Sequence, residues 1–345
     1  MPSILEQEIM QQPQVIQNLI TRETPHVKEI LQEISGRFHY VVIAARGTSD
    51  NAARYAQYLF GAHNQLQVAL ATPSLFSIYV LPPNLKGALV IGISQSGKSP
   101  DIVSVVAEGK RQGCPTLAIT NDPTSPLAET AGMVIDLGTG KEQAVAATKT
   151  YTASLGALAL FSALLENNPQ NIAALESISE CMQQTLTGIQ PLLTHVERYR
   201  YMDRLAVIGR GFNYATAFEI ALKVKELTRT VAEPYSSADI RHGPIATIAN
   251  GFPVLLVAPG GAVTSDLEDL LATLKKRRAE LMIISDLPEF LSQAQLGLPI
   301  TTCIPEWLTP LVAVLPGQLF GWKLAQVKGM DPDHPEGLTK VTETL

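Results

Sequence analysis

Short, uninterrupted apolar runs alternate with amphipathic stretches through most of the chain. Tyr40-Val-Val-Ile-Ala-Ala45, Ala88-Leu-Val-Ile-Gly-Ile93, Thr116-Leu-Ala-Ile-Thr120 and Met133-Val-Ile-Asp-Leu137 are too short for buried helices and show no wet face. Each reads as a strand covered on both sides. Helical periodicity fills the gaps: an Ala-rich stretch over about Asn51–Phe60, a second over Pro100–Gln112 and a third over Thr150–Glu166. Strands alternating with helices predict a parallel sheet with helices on its faces.

The first 35 residues read as helix. Ile4, Ile9, Val15, Ile16, Leu19 and Ile20 mark an apolar stripe with a break near Pro13. A second run after Thr24-Pro25 carries Val27, Ile30, Leu31 and Ile34 and ends at Gly36. The second half then echoes the first. Arg46-Gly47 meets Arg210-Gly211, and Val90–Gly97 meets Val254–Gly261, both at an offset of 164. Thr116–Asn121 meets Leu281–Asp286 at 165. The expected organisation is N-terminal helices over 1–35, one α/β domain over 36–190, a second over 191–330, and a C-terminal tail over 331–345.

Composition narrows the function classes. With 345 residues, 46% hydrophobic and 17% charged against a usual ~25%, the chain can bury a sizeable core. A net charge of −6 argues against a nucleic-acid partner. The start, MPSILEQEIM, lacks the apolar core of a signal peptide, and the longest apolar stretch, Ala153–Leu165, is too short to span a bilayer. Cys114, Cys181 and Cys303 show no paired spacing, so three reduced thiols and a cytoplasmic location are expected. The histidines show no ligand spacing, so neither a metal nor another cofactor is expected.

Candidate chemistry gathers where predicted strands end. Ser94-Gln-Ser-Gly-Lys-Ser99 joins a strand to a helix, the place where open parallel sheets bind ligands. Hydroxyls there can wrap a phosphate over helix N–H groups, or simply cap the helix. Thr48 and Ser49 stand at the same kind of junction one strand earlier. A Walker A loop is absent, which disfavours ATP. Two hydroxylated turns at successive strand ends favour a polar anionic ligand such as a sugar phosphate. Glu219, Lys223 and Glu226 share one face of a helix whose apolar stripe is Ala217, Ile220, Ala221, Val224 and Leu227. The default reading is a solvated charge ladder, and the alternative is a general base held beside a cation. His242 precedes Gly243-Pro244 in a turn, where an imidazole could carry protons. Lys340 lies in a polar tail; exposed it is an ordinary surface charge, whereas partly desolvated it could form a Schiff base.

GTS at 47–49, SQSG at 94–97, VAATK at 145–149, ALKVKE at 221–226, RHGP at 241–244 and DHPEGLTK at 333–340 occur in one order. In that order the chain resembles, over nearly its full length, the sugar-isomerase (SIS) family. It is similar to the isomerase half of glucosamine-6-phosphate synthase, and more so to stand-alone SIS-type glucosamine-6-phosphate deaminases. The resemblance implies two tandem SIS subdomains, each a flavodoxin-like parallel sheet flanked by helices, with a functional C-terminal tail. It implies a sugar phosphate on Thr48, Ser49, Ser94, Gln95, Ser96 and Ser99, a backbone contact at Val145, and Thr339 beside the lysine. It implies Glu226 as proton shuttle between C1 and C2, Lys223 near it, Lys340 as imine former, and His242 as ring-opening group donated by the partner in a homodimer.

The implied reaction converts glucosamine 6-phosphate and water to fructose 6-phosphate and ammonia, reversibly. The sequence also departs from the synthase. About 35 residues precede the first strand, which leaves no place for a glutaminase domain. Arg46 stands for the cysteine of CGTS, Lys98 for the glutamate of SQSGET, and Ala147 for a serine near the sugar. Two rival readings stay open. One is a deglycase acting on fructosamine 6-phosphates. The other is a sugar-phosphate sensor, which needs the serine loops but not Glu226, His242 and Lys340 together.

Overall fold

The computed structural model describes residues 3–301 and 304–340. The chain forms two compact units. The N-terminal unit comprises Gln14–Glu142, Lys149–Glu176 and the tail from Thr339; the C-terminal unit comprises the residues up to Pro13, Gln143–Thr148 and Ser177–Leu338.

Helix α1 runs unbroken over Ile4–Ile34. The expected break at Pro13 does not occur, nor does a restart after Pro25. Pro13 has no N–H for the carbonyl of Ile9, but the Gln12 side-chain amide donates to that carbonyl at 2.9 Å and repairs the ladder. The long apolar stripe of α1, with Leu5, Ile9, Ile16, Leu19, Val27, Ile30 and Ile34 all buried, keeps the helix whole.

The N-terminal unit continues through β1 (Tyr40–Ala44), α2 (Gly47–Asn64), β2 (Gln67–Leu70), α3 (Ser74–Ser77), β3 (Ala88–Ser94), α4 (Pro100–Arg111), β4 (Thr116–Thr120), α5 (Pro126–Thr130), β5 (Met133–Asp136), α6 (Lys149–Glu166) and α7 (Pro169–Glu176). Its five strands are parallel in the order β2-β1-β3-β4-β5. β3 is buried at every residue, as its continuous apolar run predicts. β2, with alternating exposed and half-buried residues, carries little apolar signal and is not evident from the sequence. α6 is buried on all sides from Lys149 to Leu164, so its apolar stretch is a core helix.

The C-terminal unit is built from α8 (Ile178–Ile189), β6 (Arg204–Gly209), α9 (Tyr214–Thr228), β7 (Val231–Ser236), α10 (Ser237–Arg241), β8 (Pro253–Val257), α11 (Thr264–Lys276), β9 (Glu280–Ser285), α12 (Pro288–Leu291), β10 (Leu296–Pro299) and α13 (Thr309–Val327). Its parallel sheet has the order β10-β9-β8-β6-β7. Numbered within each sheet, both units share the order 2-1-3-4-5, which is flavodoxin-like and places a switch point between the first and third strands.

Among the described residues no helix is long and apolar enough to cross a membrane. The cysteine expectation needs correction. Cys114 is free and buried, but Cys181 on α8 is disulfide-bonded; Cys303 lies outside the described residues. Thr301 N–H donates to Thr185 Oγ1 at 2.9 Å, so the chain leaving β10 passes α8.

α13 packs along α9, and Gly317 permits the approach. A Cβ there would stand 2.3 Å from Ile220 Cγ1 and 2.4 Å from Cδ1, whereas at Gly321 the nearest atom, Leu227 Cδ1, would be at 3.4 Å. Gly317→Ala is therefore expected to destabilise the protein by about 1–3 kcal/mol through overpacking. Gly321→Ala should be neutral or slightly stabilising, because alanine is the better helix former. Thermal melts of the two variants side by side check this; equal melting temperatures would contradict the packing argument.

Candidate functional site

The sequence-predicted residues fall into two groups, one in each unit. In the N-terminal unit the turns after β1 and β3 lie next to each other, because the two strands pair in register from Tyr40↔Ala88 to Ala44↔Gly92. This is the switch point of the sheet, where the connections diverge and leave a crevice. Thr48 and Ser49 occupy the first turn of α2, half-buried, beyond Gly47 at φ +53°. Ser94, Gln95, Ser96 and Ser99 line the turn into α4. Gly97 (φ +61°) shapes that turn, since a Cβ there would meet Ser125 Oγ at 2.0 Å.

The capping alternative holds for part of this loop. Ser94 Oγ accepts from Gly97 N–H at 3.1 Å and Ser96 Oγ from Lys98 N–H at 3.3 Å. Ser99, the N-cap residue of α4, makes no side-chain capping bond, and Pro100 follows it at the first helical position. The turn is thus fixed by some hydroxyls while the Ser99 hydroxyl is not spent on its own helix. Arg46 links the two turns: its Nε donates to Asp101 Oδ2 at 2.8 Å, and the Asp101 side chain is fully buried in the first turn of α4. Sequence reading treats Arg46 only as a departure from a cysteine and misses Asp101.

The corresponding turn of the C-terminal unit, after β8, is closed by the chain itself. Gly260 N–H donates to Asp286 Oδ1 at 2.8 Å, Ala262 N–H to Glu306 Oε2 at 2.8 Å, and Gly261 N–H to Thr264 Oγ1 at 2.9 Å. Internal carboxylates thus already accept from the N–H groups of Gly260 and Ala262. The serine cluster is confined to the N-terminal turn.

Lys340 also belongs to the N-terminal unit. Its Nζ donates to Glu142 Oε2 at 2.8 Å, with 23% of the lysine side chain exposed and none of the glutamate's. Thr339, before it, is exposed. Glu142 is a residue the motif reading passes over; its signal is a carboxylate in a loop leading into an apolar helix.

In the C-terminal unit α9 presents Glu219, Lys223 and Glu226 on one face. They are not the solvated ladder their spacing suggests. Lys223 is 1% exposed and Glu219 0%, while Glu226 keeps 25%. The Lys223 ammonium stands 2.5 Å from Glu226 Oε2 and 3.5 Å from Glu219 Oε1. The reason is tertiary: α13 covers this side of α9, with a Cβ at Gly321 only 3.9 Å from Lys223 Cβ. A buried ammonium needs anionic partners, and Glu226 combines such a partner with access to solvent.

His242 is exposed, immediately after the one-turn α10 that Ser236 caps by accepting from Asp239 N–H at 3.0 Å. Gly243 at φ +131° turns the chain away. Arg241, next to His242, donates to Asp266 Oδ1 at 2.5 Å and to its carbonyl at 2.7 Å, and Ser237 Oγ also donates to the Asp266 carboxylate. Burial raises the Asp266 pKa, but the hydrogen bonds from Ser237 and Arg241 and the charges of Arg241 and Arg210 outweigh it and hold it below the ordinary value. Val145 directs its N–H to the Asp333 carbonyl at 3.4 Å. Glu8 holds the preceding residues by accepting from Gln143 N–H at 2.6 Å and Ala144 N–H at 3.2 Å.

Known proteins resemble this chain in sequence and in fold. The SIS domain profile matches residues 38–164 and 199–291. A glutamine–fructose-6-phosphate aminotransferase (isomerizing) of Gloeobacter violaceus is 32% identical over 96% of this chain, and the match covers 57% of that protein. The chain thus spans rather more than half the length of the curated relatives it matches. The C-terminal domain of glucosamine-fructose-6-phosphate aminotransferase from Francisella tularensis superposes with a TM-score of 0.88 at 26% identity, over 97% of this chain and 99% of that one. Glucosamine-6-phosphate deaminase from Thermotoga maritima shares the fold at a TM-score of 0.74 and 19% identity, over 96% and 100% of the two chains.

Lys223→Met leaves the Glu219 carboxylate buried without its cation and is expected to cost about 3–5 kcal/mol in chemical denaturation; a loss below about 1 kcal/mol would show that the pair is not a structural requirement. For Asp266 the folded-state pKa is depressed. Its stabilising contribution is therefore present above the unfolded carboxyl value, about 3.9, and disappears as pH falls through the lower folded value. The melting-temperature gap between the wild type and Asp266→Asn should accordingly be wide near about pH 6 and narrow progressively as the pH falls below the unfolded carboxyl value.

Proposed function

The chain belongs to the SIS domain family, and on that premise we propose that it is an aldose–ketose isomerase and deaminase of amino-sugar phosphates. Glucosamine 6-phosphate and water give fructose 6-phosphate and ammonia, reversibly. The observation that carries this reading is Glu226, a partly exposed carboxylate whose other side rests on a buried ammonium. An aldose–ketose shift needs one base that takes a proton from one carbon and returns it to the next, and a sensor has no use for such a group.

The roles follow the chemistry. The hydroxyls of Thr48, Ser49, Ser94, Ser96 and Ser99, with the Gln95 amide and the start of α4, hold the phosphate, which anchors the sugar and orients its carbons. His242 assists ring opening, acting on the site of a second copy, so the active species is a homodimer. Glu226 then removes the C2 proton of the open-chain aldehyde and delivers a proton to C1. C1 is reduced to a hydroxymethyl group as C2 becomes an iminium. Lys223 stabilises the Glu226 carboxylate before the first transfer and after the second. The Lys340 amine adds at C2, ammonia leaves, and water releases fructose 6-phosphate from the lysine. Val145 and Thr339 contact the sugar and flank the lysine. No metal or redox cofactor enters this sequence of bonds.

A panel of amino-hexose 6-phosphates and fructosamine 6-phosphates, read as ammonia or amine release, tests the assignment. Turnover of glucosamine 6-phosphate is expected, with Glu226→Gln lowering kcat by about 100-fold or more, the range for loss of a general base. Release from fructosamine 6-phosphates alone would reassign the enzyme as a deglycase. Tight sugar-phosphate binding without turnover, unchanged in Glu226→Gln, would make it a sensor.

A further inference from the structure

The assignment of Lys340 as imine former leaves open what brings a residue of the polar tail to a fixed place. The answer lies at the entry to α6. Glu142 has no exposed side-chain surface, and its two carboxylate oxygens are held from one residue: Thr150 N–H donates to Oε1 at 3.1 Å and Thr150 Oγ1 to Oε2 at 2.8 Å. Thr150 is in the first turn of an 18-residue helix, so Glu142 also lies where helix N–H groups favour negative charge. Its rotamer is thus set before the tail arrives. Oε2 accepts in addition from Lys340 Nζ at 2.8 Å. The neighbouring charged side chains on these segments are Lys141, which is exposed, and Lys149, which is buried and donates to the Lys141 carbonyl at 3.0 Å. Glu142 is therefore a buried anion set among cations, fixed at one end by a helix and meeting the tail lysine at the other.

We propose that Glu142 is the positioning residue of Lys340: it docks the C-terminal tail through the amine that reacts and receives the proton that amine must shed. The proposal rests on the imine role given to Lys340 above. In the step it serves, capture of fructose 6-phosphate in the reverse direction, the Lys340 ammonium passes one proton to Glu142 Oε2. The freed lone pair forms the C–N bond at the C2 carbonyl carbon while the C=O electron pair moves to oxygen, which takes an N–H proton. The proton on Glu142 returns through the site to that hydroxyl, water leaves, and the positive charge resides on the iminium. Atoms and charge balance, and Glu142 ends as it began. A surface lysine on an untethered tail would have to find the carbonyl by diffusion and would lose the advantage of a held nucleophile.

Two measurements on the full chain test this. In the first, fructose 6-phosphate is trapped on the protein with cyanoborohydride and the adduct located by mass spectrometry. The wild type is expected to carry it on Lys340. Glu142→Gln, which keeps the size and the acceptor for Thr150 N–H, should form it about tenfold or more slowly, because a positioned nucleophile is lost. Glu142→Asp, which restores the charge, should recover part of the rate. In steady state kcat falls while KM for the sugar phosphate changes little; a merely structural defect would instead lower binding and melting temperature together. An unchanged trapping rate in Glu142→Gln overturns the proposal and leaves the enzyme assignment standing.

The second measurement needs no sugar. Acetic anhydride labelling of Lys340 is compared with that of exposed Lys86 in the same sample. Lys340 should be the more slowly labelled of the two in the wild type and should gain on Lys86 in Glu142→Gln. Equal ratios in the two proteins overturn the contact. If the wild type forms no adduct on Lys340, the imine role fails and the proposal with it, while this labelling ratio still decides whether Glu142 docks the tail.

Discussion

A lysine ammonium enclosed by protein on one helix is the constraint from which much of the C-terminal unit follows. Lys223 can be 1% exposed only because Glu219 and Glu226 stand one helical turn to either side. That in turn requires α13 to lie close enough to exclude water, which Gly317 allows against Ile220. The arrangement separates two jobs. Glu219 balances the charge in the dry interior, and Glu226 keeps one side on the ammonium and the other towards solvent.

Parallel-sheet topology supplies the second requirement. The strand order forces the connections after β1 and β3 in opposite directions and opens the same kind of crevice in each unit. Side chains decide what each crevice does. Around Gly97 the loop carries hydroxyls and leaves Ser99 without a capping bond. Around Gly260 the loop N–H groups are already satisfied by Asp286 and Glu306. A backbone that offers the same turn twice is thereby closed by internal carboxylates in one unit and lined by hydroxyls in the other.

Long-range polar contacts hold the segments that bear several of the candidate residues. Asp333 accepts from Ile4 and Leu5 N–H at 2.9 and 2.8 Å and so caps the start of α1 with a residue of the C-terminal segment. Glu8 fixes the backbone just before Val145. Glu142 meets Lys340. Each is a charged side chain bound to a partner more than a hundred residues away. The first two satisfy backbone donors outside the regular ladders, and the third gives a buried carboxylate its cation.

The pattern of the chain alone determined the α/β class, the buried strands β1, β3, β4 and β5, and the placing of Ser49 and Ser94 at strand ends, because period and run length are local properties. It missed β2, whose residues alternate without a strong apolar run. It also broke α1 at Pro13, because the repair by the Gln12 side chain is a matter of rotamer and not of composition. For the site, motif order pointed to Glu226, His242 and Lys340, but helical spacing made Glu219, Lys223 and Glu226 a wet ladder. Only the packing of α13 on α9 decided that the lysine is buried. Only the meeting of residues 142 and 340 showed which carboxylate the tail lysine engages. Burial and long-range pairing depend on what covers a face, and that information is spread over the whole chain rather than held in any segment of it.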